Sequence, residues 1–125
     1  MTFRLEFLEG AKADIAALPD RATQLAALRV ALALTENPFL GEPLRVRARV
    51  GDLAGCRRVP FDREDVSGKP RFRLIYRNNP DDGSIEVLEV IAVGLRERLG
   101  AYRAATARLR EEMRRRLDEP GPSRP

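Results

Sequence analysis

Two arginines and a tyrosine stand close together in the segment VGLRERLGAY, Val93 to Tyr102, where a β-like run gives way to a helical one. The chain has no histidine, so proton transfer at neutral pH falls to other groups. An unperturbed phenol, with a pKa of about 10, is a poor base. Guanidinium groups around a phenol favour its phenolate and make it a better one. The same cations hold phosphate through paired N–H donors. Arg96, Arg98 and Tyr102 therefore suit metal-free phosphodiester chemistry. They also suit a plainer role. Tyr102 shares a helical stripe with Ala105, Leu109 and Met113, which would make it core, with Arg96 and Arg98 as the solvated start of the helix. Arg98 lies one turn before Tyr102 if the helix already includes it.

Other chemistries find little support. Cys56 is the only cysteine. Without histidine neither a zinc site nor an activated thiol is expected, and Cys56 reads as a small buried residue. No metal and no cofactor are expected. No run approaches the roughly 18 apolar residues of a membrane span. The start, MTFRLEFLEG, has two acids and no apolar h-region. A cytoplasmic protein without a membrane partner is the expectation.

The formal charge is +4, and its distribution is uneven. Residues 1–42 carry four basic and six acidic side chains, residues 43–80 ten and four, and residues 81–125 nine of each. Of the 23 basic residues 21 are arginine. A GC-rich genome would inflate the arginine total but would not cluster it. Such a field speeds association with RNA or with an acidic protein.

These residues must be positioned by the elements around them. Phe3, Leu5 and Phe7 alternate with Arg4 and Glu6, a half-buried strand. Residues 9–18 read as a short helix. Asp20 is a good N-cap for a second helix from Arg21 to Glu36, with Leu25, Leu28 and Leu32 at helical spacing beside Ala27, Ala31 and Leu34. Asn37–Pro38 stops it. LRVRARV (44–50) alternates as an edge strand or extended loop. CRRVPFD (56–62) is a strand, placed at an edge by Pro60. RFRLIYRN (71–78) puts Phe72, Leu74 and the structural Tyr76 on one face and Arg71, Arg73, Ile75 and Arg77 on the other. SIEVLEVIAVG (84–94) is apolar on both faces, as a central strand is. A last helix runs from about Arg98 to Asp118, its stripe ending in Leu109, Met113 and Leu117, and Arg114–Arg116 form a solvated charge run. The expected fold is α+β: N-terminal strand and helix hairpin, three-strand antiparallel meander, C-terminal helix, in one domain over 1–118 with a disordered tail over 119–125. The helices are expected on one sheet face. The other face is then open and shows Arg58, Arg71, Arg73 and Arg77.

This order of elements, with ADIAALP, ENPFLGEPL, GDLAGCRRVPFD, RFRLIYR and VIAVGLRERLGAYRAATARL, resembles the RelE/ParE superfamily of type II toxin–antitoxin toxins over roughly residues 3–110. The RelE-like branch holds ribosome-dependent messenger RNA endoribonucleases, ParE-like members poison DNA gyrase, and others have degenerate sites. The resemblance implies a cognate antitoxin as partner, with the ribosome and mRNA as targets, or gyrase in the alternative. It matches Arg73 in RFRLIY, Arg96 and Arg98 in VGLRER, and Tyr102 after them. Arg73, Arg96 and Tyr102 are thereby implied as catalytic. Arg57, Arg58, Arg71, Arg77 and Arg98 are the RNA-binding candidates. CRRVP departs from the family pattern, since Val59 or Pro60 stands where a lysine is expected.

Overall fold

VLEVIAVGL offers apolar side chains to both sides of a strand, so it is stable only where both sides are covered. In the computed structural model, which describes residues 3–44, 53, 55–80 and 82–118, that segment is the strand β5 (Val87–Leu95), one place in from the sheet edge. The other strands are β1 (Arg4–Phe7), β2 (Glu42–Pro43), β3 (Cys56–Phe61) and β4 (Phe72–Asn79). The sheet order is β1-β5-β4-β3-β2. The pairing of β1 with β5 is parallel, and the rest are antiparallel. The expected meander is thus β3-β4-β5. On the side away from β4, β3 pairs among the described residues only with the two residues of β2, opposite Arg58 and Arg57, and Pro60 lies beyond that pairing. The alternating stretch 45–50 and the tail 119–125 lie outside the described residues.

Helices α1 (Glu9–Ala16) and α2 (Arg21–Glu36) follow β1, and α3 (Gly100–Asp118) follows β5. Asp20 caps α2 as its position suggests, accepting from the Thr23 N–H at 2.8 Å and from the Thr23 hydroxyl at 2.7 Å. The turn after α2 is pinned to the sheet by Tyr76. Its hydroxyl donates to the Pro38 carbonyl at 2.7 Å and accepts from the Gly41 N–H at 2.9 Å.

Two expectations are overturned. The arginine-bearing face of the meander is not open. α1 and α2 pack with Phe61, Phe72, Leu74, Tyr76, Leu88 and Val90 on one side. α3 lies on the other, where Ala101, Tyr102 and Ala105 join Cys56, Ile75, Ile91 and Ala92 in a second core. A bulge makes this possible. Ile75 pairs with Ala92 and Tyr76 with Val90, which leaves Ile91 extra and turns both Ile91 and Ala92 toward α3. The inward face of α2 also differs. Its buried residues are Thr23, Ala27, Ala31, Leu34 and Thr35, while Leu25, Leu28 and Leu32 face outward. Small alanines let the helix approach the sheet closely, and the leucines flanking them are left outside. On α3 the stripe runs off the sheet in the same way: Met113 and Leu117 are exposed. Among the described residues no helix is long and apolar enough to cross a membrane.

Candidate functional site

The first turn of α3 aims Tyr102 across the second core toward β3. Gly94 makes this approach possible, because a Cβ there would stand 3.3 Å from the Ala101 backbone. The ring of Tyr102 is only 2% exposed. Its hydroxyl accepts a hydrogen bond from Arg58 Nη1 at 3.2 Å. Arg58 Nη2 donates to Glu42 Oε2 at 3.1 Å across the β2–β3 ladder. The bond to Tyr102, then that to Glu42, hold the Arg58 pKa above the ordinary arginine value. The guanidinium therefore bridges a buried phenol and an exposed carboxylate, with its own side chain about one-third exposed.

Arg73 lies on the same sheet face, opposite Pro60 and Gly94. It is 9% exposed, and its Nη1 donates to the carbonyls of Phe72 at 2.8 Å and Pro70 at 3.0 Å. Its charge sits under the surface, with Nη1 held by two backbone carbonyls. Arg96 extends the β4–β5 edge through its own N–H, which donates to the Arg71 carbonyl at 2.8 Å. The side chains of Arg96 and Arg98 are exposed and make no ion pair among the described residues. Arg98 is not in α3. It sits in a single 3-10 turn (Glu97–Leu99) with φ 56 and ψ 21, and Leu99 follows at φ 57. Two successive side-chain-bearing residues in the left-handed region carry backbone strain. The strained corner displays Arg96 and Arg98 to solvent, and it removes the one-turn relation between Arg98 and Tyr102 that a continuous helix would give.

The other candidate cations are directed elsewhere. Arg71 clamps Asp62, donating from its backbone N at 2.9 Å, from Nε at 2.9 Å and from Nη2 at 2.8 Å, and lies over the Phe72 ring. Those bonds hold the Asp62 carboxyl well below the usual carboxylate range. Arg77 is held between Glu89, at 3.0 Å, and Glu112, at 3.0 Å. Arg57 alternates to the opposite sheet face from Arg58, donates to the Gly41 carbonyl at 2.9 Å and lies over the Phe39 ring. Arg71, Arg77 and Arg57 thus stabilise the scaffold, and the expected outward row of arginines is dispersed.

No protein-family model matches the sequence, and no curated protein matches it. Solved structures do resemble it, among them the following two. The RelBE2 toxin–antitoxin complex of Mycobacterium tuberculosis matches with 26% identity over 77% of this chain and 93% of that one, at a TM-score of 0.54. A free-state variant of the E. coli toxin RelE, with two arginines two residues apart changed to alanine, matches with 23% identity over 87% of this chain and 99% of that one, at a TM-score of 0.62. The chain has the RelE-like toxin fold.

On this RelE-like scaffold the sequence-derived candidates separate into three groups. Arg58 and Tyr102 touch. Arg96 and Arg98 stand exposed at the corner before α3, and Arg73 is buried at the strand pair leading to it. Arg57, Arg71 and Arg77 are engaged by other groups. Sequence reasoning missed Glu42, the carboxylate that holds Arg58. Its only local signal is being the second of the two acids in ENPFLGEPL, and the pairing that makes it matter spans two residues of β2. It also missed Asp14 and Arg108, whose ion pair joins α1 to α3.

Proposed function

We propose that this chain is the toxin of a type II toxin–antitoxin pair and that it acts as a ribosome-dependent mRNA endoribonuclease. The observation that carries the reading is the contact between the Arg58 guanidinium and the Tyr102 hydroxyl at 3.2 Å, set in a RelE-like fold. RNA cleavage without a metal needs a group to take the 2′-hydroxyl proton, cations to steady the phosphate as its charge grows, and a proton for the leaving 5′-oxygen. Tyr102 is the proton-transfer group in this scheme. Arg58 is the cation beside it, and a phosphate of the RNA replaces Glu42 as its anionic partner. The phenol is enclosed by Arg58 and the second core, so Arg58 must also shift off the Tyr102 hydroxyl for the RNA 2′-hydroxyl to reach it. Arg96 and Arg98 take neighbouring phosphates from the corner. Arg73 is a positioning residue, since both of its bonds go to the backbone that leads into β4. The likeness to the M. tuberculosis RelBE2 complex supports a cognate antitoxin as the regulatory partner.

The test is inducible expression of the full chain, followed by mapping of transcript ends and of gyrase-linked DNA breaks. Cut transcripts that disappear with Tyr102→Phe and with Arg58→Ala are expected. Growth arrest with intact transcripts and gyrase-linked breaks would establish the ParE-like alternative instead. Strong expression without arrest would leave a non-catalytic member of the fold.

A further inference from the structure

Helix α2 carries its largest apolar side chains on the side away from the sheet. Leu25, Leu28 and Leu32 are 42%, 41% and 64% exposed. At 3.6 residues per turn the three fall within an arc of about 60°. Arg21 opens the same stripe and Glu36 closes it, all five within about 80°. Phe39 and Leu40, also exposed, follow the helix in sequence, with the Arg57 guanidinium over the Phe39 ring. Single exposed leucines are ordinary on a protein surface, but three on one helical stripe form a patch of the kind that binds another surface. The patch is on the sheet face opposite Arg58 and Tyr102, so the site described above makes no use of it.

We propose that this stripe pairs α2 with the α2 of a second copy of the chain, antiparallel about a two-fold axis near the middle of the helix. The pattern is self-complementary. The interior of the stripe is all leucine, and its two ends carry opposite charges. Antiparallel pairing over the roughly 24 Å length of α2 sets leucines against leucines. It brings Arg21 of each copy to the end that holds Glu36 of the other. Parallel pairing would set arginine against arginine and glutamate against glutamate, so the charges select the antiparallel arrangement. Arg21 makes no ion pair among the described residues. One isologous contact therefore covers the leucines and uses both charged ends twice.

Sedimentation equilibrium of the purified full chain over a concentration series tests this. Wild type associates to a dimer. Leu28→Glu weakens the association by at least about tenfold, and the circular dichroism spectrum does not change, because position 28 is solvent-facing in the monomer. Arg21→Glu and Glu36→Arg each weaken self-association when alone, and a mixture of the two variants associates again as a heterodimer. A wild-type chain that is monomeric throughout overturns the proposal, as does a dimer indifferent to Leu28→Glu. A mixture that fails to associate overturns the antiparallel pairing. A monomer whose α2 instead captures an amphipathic helix of another protein overturns the choice of a second copy as occupant.

Discussion

Asp14→Ala is expected to lower stability more than any other single carboxylate substitution on the α1 surface, and the reason is where its bonds go. β1 pairs with β5 only as far as Val90. The N–H of Val93 lies beyond that edge and finds Asp14 Oδ2 at 2.9 Å. The same carboxylate accepts from Arg108 Nη1 at 2.5 Å and from Nη2 at 2.8 Å. Arg108 Nη1 also donates to the Ile91 carbonyl at 2.9 Å. The two side chains are 25% exposed for Arg108 and 18% for Asp14. One carboxylate thus ties α1, α3 and the uncovered edge of β5 together. Removing it leaves the Val93 N–H unsatisfied, a cost of about 1–3 kcal/mol. It also leaves a guanidinium without its anion. Breaking a fully buried pair costs about 3–5 kcal/mol, and partial exposure reduces that to about 1 kcal/mol here. The expected loss is therefore about 3 kcal/mol, or a fall in Tm of about 12 °C for a domain of this size. Gly10 sharpens the test. A Cβ there would stand 2.2 Å from Arg108 Nε. Gly10→Ala should destabilise by displacing the guanidinium, although helix propensity alone favours alanine by about 1 kcal/mol. Urea unfolding of Asp14→Ala, Arg108→Ala and the double variant should show clearly less than additive losses at constant m. An Asp14→Ala variant within about 0.5 kcal/mol of wild type, or strictly additive losses, would refute the reasoning.

Three further outcomes follow from named contacts. Because the folded-state pKa of Asp62 lies below its unfolded value, its contribution is present above the ordinary carboxylate pKa and is lost as pH falls. Asp62→Asn should therefore be less stable than wild type at neutral pH, with the gap narrowing below about pH 4, and a gap constant down to strong acid would count against the Arg71 clamp. Arg98→Gly should be more stable than Arg98→Val by about 1 kcal/mol, since only glycine adopts φ 56 without strain, and equal thermal midpoints for the two would contradict the left-handed corner. Glu42→Ala releases Arg58 from its exposed carboxylate partner, so single-stranded RNA should bind more tightly by fluorescence anisotropy, and unchanged or weaker binding would remove Glu42 as the group RNA must displace.

Local chemistry alone determined most of the elements. Asp20 ahead of a 16-residue helix, Asn37–Pro38 after it, and the alternation in RFRLIYRN each act within a few residues, so side-chain period and capping are enough to read them. The doubly apolar β5 was legible as a central strand for the same reason. Period says which residues share a face, but not which face meets a neighbour. Leu25, Leu28 and Leu32 make as good a stripe as Ala27, Ala31 and Leu34, and close packing on the sheet selected the smaller one. Ile75, set among arginines, marked a second core that became visible only when the bulge at Ile91 turned two residues toward α3. The fate of each arginine lay further out of reach. Arg77 is neutralised by Glu112, 35 positions away, and Arg58 meets Tyr102 across 44. A cation's role depends on which carboxylate, carbonyl or phenol lies within about 3 Å of it. Those neighbours come from distant parts of the chain, so only the packed sheet and helices decided which arginines are structural and which remain available to a ligand.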